Sequence, residues 1–364
     1  MKRPLGPVQF ESSVHANSQE IYLELVELSG HVVGKGTWSA TLRANCLYLC
    51  ALLAKPRHRC RLLQGSSEIT PFTPLAALDL TLGNCIQVVW LSSPAADRSA
   101  SSHAFAAIKA GGRVVTWGSA ACGGDSSAVA ALLTKGVVQV CGNYDAFAAI
   151  KADGSVVTWG HAESGGNSRL VAPLLTEGIV QVCGTDMAFA AVKADGSVVT
   201  WGSAIHGGNS SAVAPLLTEG VVQVCGSCWA FAAIKADGSV VTWGSAIYGG
   251  NSSAVAALLT EGVVQVCGNC YAFAAIKADG SVVSWGDAKS GGNSRLVAPL
   301  LTEGVVQVCG SWWAFAAIKA DGSVVTWGGA NGYGGGDSSA VAPLLTEGVV
   351  QVCGSCAAFA AIKA

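Results

Sequence analysis

The tetrapeptide Ala-Phe-Ala-Ala begins at positions 104, 146, 188, 230, 272, 314 and 358, at a spacing of 42 residues five times and then 44. A fixed period of this size means one supersecondary unit repeated in an array or a ring, because such a unit cannot bury its apolar face alone. Residues 230–271 show the unit, AFAAIKADGSVVTWGSAIYGGNSSAVAALLTEGVVQVCGNCY. Within it, Val263-Val264-Gln265-Val266-Cys267 is short, β-branched and bounded by Gly, so it reads as a strand buried on both faces. Residues 272–277 follow as a second strand and 281–285 as a third, with Asp279-Gly280 between them as a two-residue type I′ turn. After the third strand comes a Gly-Gly-Asn/Asp-Ser loop, then an apolar stretch (254–259 here) that is either a fourth edge strand or a short turn of helix.

Three or four antiparallel strands repeated around a ring make a β-propeller, in which closure leaves only short, protected edges. A helical solenoid is the competing repeat architecture. It fails here because no ten-residue stretch of the unit combines helical periodicity with freedom from Gly.

The order of these residues resembles a known family. A strand ending in Cys-Gly, a short gap, an Ala-rich strand, Asp-Gly and then Val-Val-Thr-Trp-Gly is similar to the regulator of chromosome condensation repeat and to the propeller-type β-lactamase inhibitor proteins. The resemblance covers about 104–364 and implies a ring of seven blades. Six first strands, seven second strands and six third strands are present, so the ring is either six-bladed with a surplus strand or seven-bladed with two incomplete ends. The chain stops at Ala364 directly after a second strand, as a truncated copy would.

The repeats differ from one another in two places. One is the gap between first and second strands, as in Asn143-Tyr144-Asp145, Ser227-Cys228-Trp229, Asn269-Cys270-Tyr271 and Ser311-Trp312-Trp313. The other follows the third strand, as in Ile205-His206, Ile247-Tyr248 and Asn331-Gly332-Tyr333. If the first strand runs up, the second down and the third up, both gaps fall on one face. That face collects Tyr144, Trp229, Tyr271, Trp312, Trp313, His206, Tyr248 and Tyr333, and aromatic residues on loops of a rigid scaffold are the material of protein-binding hot spots. These eight are the expected partner-binding residues.

No catalytic constellation is visible. The six His are scattered, and the Gly-Gly-Asn-Ser stretches precede no recognisable helix start, so neither a nucleophile–base pair nor a phosphate cradle is expected. Three Cys-x-x-Cys units occur (Cys225/Cys228, Cys267/Cys270, Cys353/Cys356), but their first Cys is the repeat position also filled by Cys141, Cys183 and Cys309. Buried packing is the expectation for them, with no metal and no cofactor.

Residues 20–92 carry no repeat. Ile21 to Leu28 alternates like a strand, Ser29-Gly30 turns into a second, and Leu42, Cys46, Leu49 and Leu53 fall on one face of a helix stopped by Pro56. Arg61-Leu62-Leu63 and Ile86 to Leu91 supply later strands. This order resembles a ubiquitin-like β-grasp domain. The resemblance implies that Leu28, Leu63 and Val89 occupy the apolar recognition patch, and that ubiquitin receptors, ligase subunits or the proteasome are partners of this module. Without a terminal Gly-Gly after the last strand, it would not be conjugated.

The expected organisation is therefore mainly β: a flexible N-terminus (1–19), a small α+β ubiquitin-like domain (20–92), a Ser/Ala-rich linker (93–102) and a six- to seven-bladed β-propeller (103–364). A net charge of −2 lacks the basic surplus that phosphate neutralisation needs, which argues against nucleic acid. The nine apolar residues of 46–54 fall short of the ~20 a bilayer helix requires. No apolar run follows Lys2-Arg3, so no ordinary signal peptide is expected, and 14 Cys then read as reduced thiols of a cytoplasmic or nuclear protein. The expected function is a non-catalytic protein-interaction scaffold, with a role in the ubiquitin pathway. The alternatives are nucleotide exchange on a small GTPase and enzyme inhibition. The founding propeller family displaces nucleotide with an inserted wedge, whereas no unit here departs from the repeat by more than two residues.

Overall fold

In the computed structural model, which describes residues 20–27, 30–42, 44–54, 59–65, 67–69, 73–91, 98–100, 103–109, 111–329, 332 and 334–363, the chain divides into two units, Met1–Ala95 and Ala96–Ala364. The stretch 1–19, Leu28 and Tyr333 lie outside the described residues. No described helix is long and apolar enough to cross a membrane.

The first unit is built on period-two alternation. In β1 (Glu20–Glu27), Ile21, Leu23 and Leu25 point inward, and β2 (Val32–Ser39) pairs with it antiparallel. Helix α1 (Asn45–Ala54) follows, then β3 (Arg59–Gln64), β4 (Ser67–Ile69) and β5 (Cys85–Leu91). The sheet order is 2-1-5-3-4, with β1 and β5 parallel at its centre. Leu23, Leu25, Leu47, Leu62 and Ile86 are fully buried in one core. Leu42, expected on the apolar face of the helix, stands before its first turn and is exposed.

The second unit is a succession of antiparallel sheets. The first holds β6 (Arg98–Ala100), β7 (Ala104–Ile108) and β8 (Val114–Gly118); the second holds β9 (Val137–Gly142), β10 (Ala146–Lys151) and β11 (Val156–Gly160). Four more three-stranded sheets repeat this pattern, and Val349–Gly354 pairs with Phe359–Lys363 in a last sheet of two strands. Residues 98–100, expected in a linker, instead pair with β7 and take the place that the Val-Val-Gln-Val-Cys strand holds in later sheets. Repeated small sheets of this kind are the arrangement expected of a β-propeller.

The Asp-Gly turns differ from expectation in type. The amide of Gly154 donates to Lys151 O at 2.8 Å and the amide of Lys151 to Ser155 O at 2.9 Å. That pattern is a three-residue loop with a bulge, in which Gly154 supplies the positive φ (+78°). The extra residue is held because the Asp153 carboxylate accepts from both the amide and the hydroxyl of Ser155. The apolar stretch that was open between edge strand and helix is a 3-10 helix, as at Ser253–Leu258. Four of its copies carry an internal Pro (173, 215, 299, 343), which could not donate to a strand ladder.

Adjacent sheets pack through one recurring set of residues. Phe147, Ala149, Val157 and Trp159 of the second sheet lie on Ala104, Ala106 and Val114 of the first and on Leu133 of the 3-10 helix that follows it, and four further junctions repeat the pattern. Each such Phe is fully buried and stacked on its own sheet's Trp, with ring centroids 5.3–5.4 Å apart. The array is bare at its two ends. Phe105 and Trp117 stack in the same way but are exposed, and so are Val350 and Ile362 of the last sheet.

Candidate functional site

From the second sheet onward each first strand ends in Gly, and at several of these glycines the neighbouring strand crowds in. A Cβ on Gly268 would stand 2.7 Å from the carbonyl oxygen of Gly226, and one on Gly310 would stand 3.0 Å from that of Gly268. The gaps following these strands then join hand to hand. The amide of Tyr144 donates to Asp186 O at 2.9 Å, that of Asp186 to Cys228 O at 3.0 Å, and that of Cys228 to Cys270 O at 3.3 Å. They enclose a mouth of about 600 Å³, lined by residues from Gly142 through Cys356.

A second set of bonds ties four of these gaps to the loop after the third strand of the same sheet, while Ser227 Oγ instead bonds within its own gap, to Ala230. Asn143 Nδ2 donates to Ser164 O at 2.6 Å, Thr185 Oγ1 to His206 O at 2.9 Å, Asn269 Nδ2 to Ser290 O at 2.6 Å and Ser311 Oγ to Gly334 O at 2.7 Å. The two variable loops of the repeat thus share one face and are held there by buried hydrogen bonds, whose loss would leave polar groups unpaired at about 1–3 kcal/mol each.

Along this face two repeat positions alternate as a rim. One is the residue just before the second strand: His103, Asp145, Met187, Trp229, Tyr271 and Trp313. The other is the third residue of the short helix after the third strand: Cys122, Ser164, His206, Tyr248 and Ser290. Over four consecutive sheets their side chains form an unbroken run of rings. His206 stacks on Trp229 at 4.2 Å, Trp229 meets Tyr248 at 5.5 Å, Tyr248 meets Tyr271 at 5.1 Å and Tyr271 meets Trp313 at 4.6 Å.

The expected site residues therefore separate into two groups. Trp229, Tyr248, Tyr271 and Trp313 form the rim run and are partly or well exposed. Tyr144 and Trp312, each about half exposed, line the mouth instead. His206 departs from the expectation of an exposed contact. It is buried beneath Trp229 with Nδ1 2.9 Å from Ser203 Oγ, and burial pulls its pKa below the usual histidine value. It supports the run and does not face outward.

The thiols divide in the same way. Burial pushes the first-strand thiols up, to about 11 at Cys141 and Cys225, so these are neutral packing groups. Cys228 is not paired with Cys225 of its own Cys-x-x-Cys unit. It meets the Cys270 thiol of the next sheet, and that contact, burial and the nearby Asp186 carboxylate all raise its pKa. Burial in turn raises Asp186. Sequence reasoning did not single out His103, Cys122 and Asp145, which come from three separate loops. Aligning the two rim positions between consecutive repeats is the signal that would have brought them together.

No protein-family profile and no curated protein matches this chain. Among solved structures it is similar to yeast RCC1 (Prp20) bound to Kap60, at 13% identity and a TM-score of 0.45 over 100% of this chain and 97% of that one. It is also similar to human WBSCR16, at 14% identity and a TM-score of 0.44 over 76% of this chain and 88% of that one. The ectodomain of the Physcomitrella patens receptor kinase CR4 is similar at 12% identity and a TM-score of 0.42, over 71% and 68% of the two chains. At these scores the likenesses add nothing to what the sheets themselves display.

Proposed function

We propose that this chain is a non-catalytic scaffold that binds a protein partner through the rim of its repeat unit, with the second unit a β-propeller of regulator of chromosome condensation type. The observation that carries the reading is the run Trp229–Tyr248–Tyr271–Trp313, four touching rings left accessible on loops that buried hydrogen bonds hold still. Large rings with little conformational freedom to lose are favoured anchors at interfaces. Tyr144 and Trp312 at the mouth supply a second point of contact.

For the first unit we infer a ubiquitin-like module. The order 2-1-5-3-4 with a single helix supports that reading. Leu63 and Val89 are half-buried on the sheet face turned away from the core, on neighbouring strands, as a shared apolar patch requires.

The test is affinity capture from cell extract with the full chain and with a W229S/Y271S/W313S variant. Capture should disappear in the variant while stability falls by about 1 kcal/mol per ring pair removed. Unchanged capture, or global unfolding of the variant, would overturn the assignment. A small GTPase among the captured proteins would favour the exchange-factor alternative, and a ubiquitin receptor or proteasome subunit would tie the first unit to that pathway.

A further inference from the structure

The rim does not carry the same chemistry along its whole length. Between the first and second sheets, the two alternating positions hold His103, Cys122 and Asp145, and the ligand atoms of all three lie within 4.8 Å of one another. His103 enters the middle strand of the first sheet, Cys122 closes the 3-10 helix Ala120–Cys122, and Asp145 enters the middle strand of the second sheet. We propose that these three side chains form a binding site for a zinc-type divalent transition metal, with a fourth coordination position left for water or an exogenous ligand.

The donor set selects the metal. One thiolate, one imidazole and one carboxylate suit a borderline-soft ion, whereas calcium and magnesium want oxygen alone. Donors of a tetrahedral zinc site stand roughly 3.3–3.8 Å apart, so closing on an ion takes shifts of the ligand atoms of about 1 Å.

Existing contacts already orient two of the three. The Cys122 thiol lies within 4.8 Å of the Asp145 carboxylate, and the Cys122 amide donates to Ser119 O at 3.1 Å. On binding, the metal would take the place of the Cys122 thiol proton, which would leave to solvent. The His103 ring packs edge-on against Tyr144, the residue preceding Asp145, at 5.8 Å. The next junctions along the rim offer Asp145, Ser164 and Met187, then Met187, His206 and Trp229, neither of which supplies three ligands of this kind.

The experiment titrates the reduced full-length chain with Co²⁺ and reads thiolate-to-cobalt charge-transfer absorption, followed by displacement with Zn²⁺. One equivalent should give the absorption and Zn²⁺ should remove it. Cys122→Ser should abolish the band, and His103→Ala or Asp145→Asn should each weaken Co²⁺ binding by at least ~10-fold, a loss already typical of outer-shell changes. A Cys228→Ser/Cys270→Ser variant should keep both band and affinity. Near-UV circular dichroism checks folding, and Asp145→Asn keeps the question answerable if Cys122→Ser fails to fold. The proposal is overturned if the wild-type chain gives no band, if Cys122→Ser retains it, or if His103→Ala and Asp145→Asn bind as wild type does.

Discussion

Trp159 donates its indole N–H to the carbonyl oxygen of Gly123, 36 residues earlier in the loop that follows the preceding sheet's third strand, at 2.9 Å. Trp201, Trp243, Trp285 and Trp327 repeat the bond to Gly165, Gly207, Gly249 and Gly291 at 3.0 Å. One residue type thus fills the space between sheets and closes the polar gap there.

Trp159→Phe should cost about 1–3 kcal/mol, because it strands a buried carbonyl while keeping an aromatic ring. Trp117→Phe, at a position 47% exposed where Trp159 is 4% exposed, should stay within about 0.5 kcal/mol. Urea unfolding of both variants separates the two cases, and equal losses would mean that the first sheet's outer face is covered in solution.

A methyl group tests the crowding of the first strands. Gly268→Ala puts carbon against the backbone of the neighbouring strand and should cost about 1–3 kcal/mol. Gly136→Ala meets nothing within 4 Å and pays only for its φ of +74°, about 1–2 kcal/mol. Thermal unfolding midpoints measure both. The sharper distinction is in the mouth, where only Gly268→Ala should speed exchange of the Cys228 amide hydrogen.

Ser284 offers a gain. Its hydroxyl is the buried side-chain oxygen without a partner among the described residues, where Thr158 and Thr242 of other sheets bond to Gly166 O and Gly250 O. Ser284→Thr should restore that bond and bury a methyl group, stabilising the protein by about 1 kcal/mol. A higher unfolding midpoint is the expected reading; a lower one would mean that this sheet is spaced differently.

Alkylation with iodoacetamide should sort the thiols. Cys85, Cys353 and Cys356 are exposed and should label first at pH 8, while Cys141 and Cys225 resist. Burial raises the folded pKa of the latter pair to about 11 from an ordinary 9.0, so the folded chain holds these protons more tightly than the unfolded chain does. Their contribution to stability is complete below pH 9.0 and is lost as pH climbs towards about 11. Unfolding midpoints across that window check the sign.

The sheets were readable because β-branched runs between Gly and Asp-Gly signals admit few alternatives. The turn type was not, since the Asp153–Ser155 bonds that hold the extra residue depend on side-chain geometry and not on the dipeptide. On the rim, topology alone placed the variable loops together. The burial of His206 was hidden because the ring that covers it, Trp229, belongs to the next repeat. The separation of Tyr144 and Trp312 from the other aromatics was hidden for a similar reason: Trp312 and Trp313 are adjacent in sequence yet face different surroundings. The strand at 98–100 has none of the β-branched character of its counterparts, and only pairing with β7 reveals it.

Five junctions between sheets are written with the same handful of residues, so the apolar packing between sheets does not record which unit stands where. Identity resides in the rim and in the gap residues that tie its loops down. A change of address at one station, such as Tyr248 or Cys122, costs the contacts of that station and leaves the masonry between the sheets untouched.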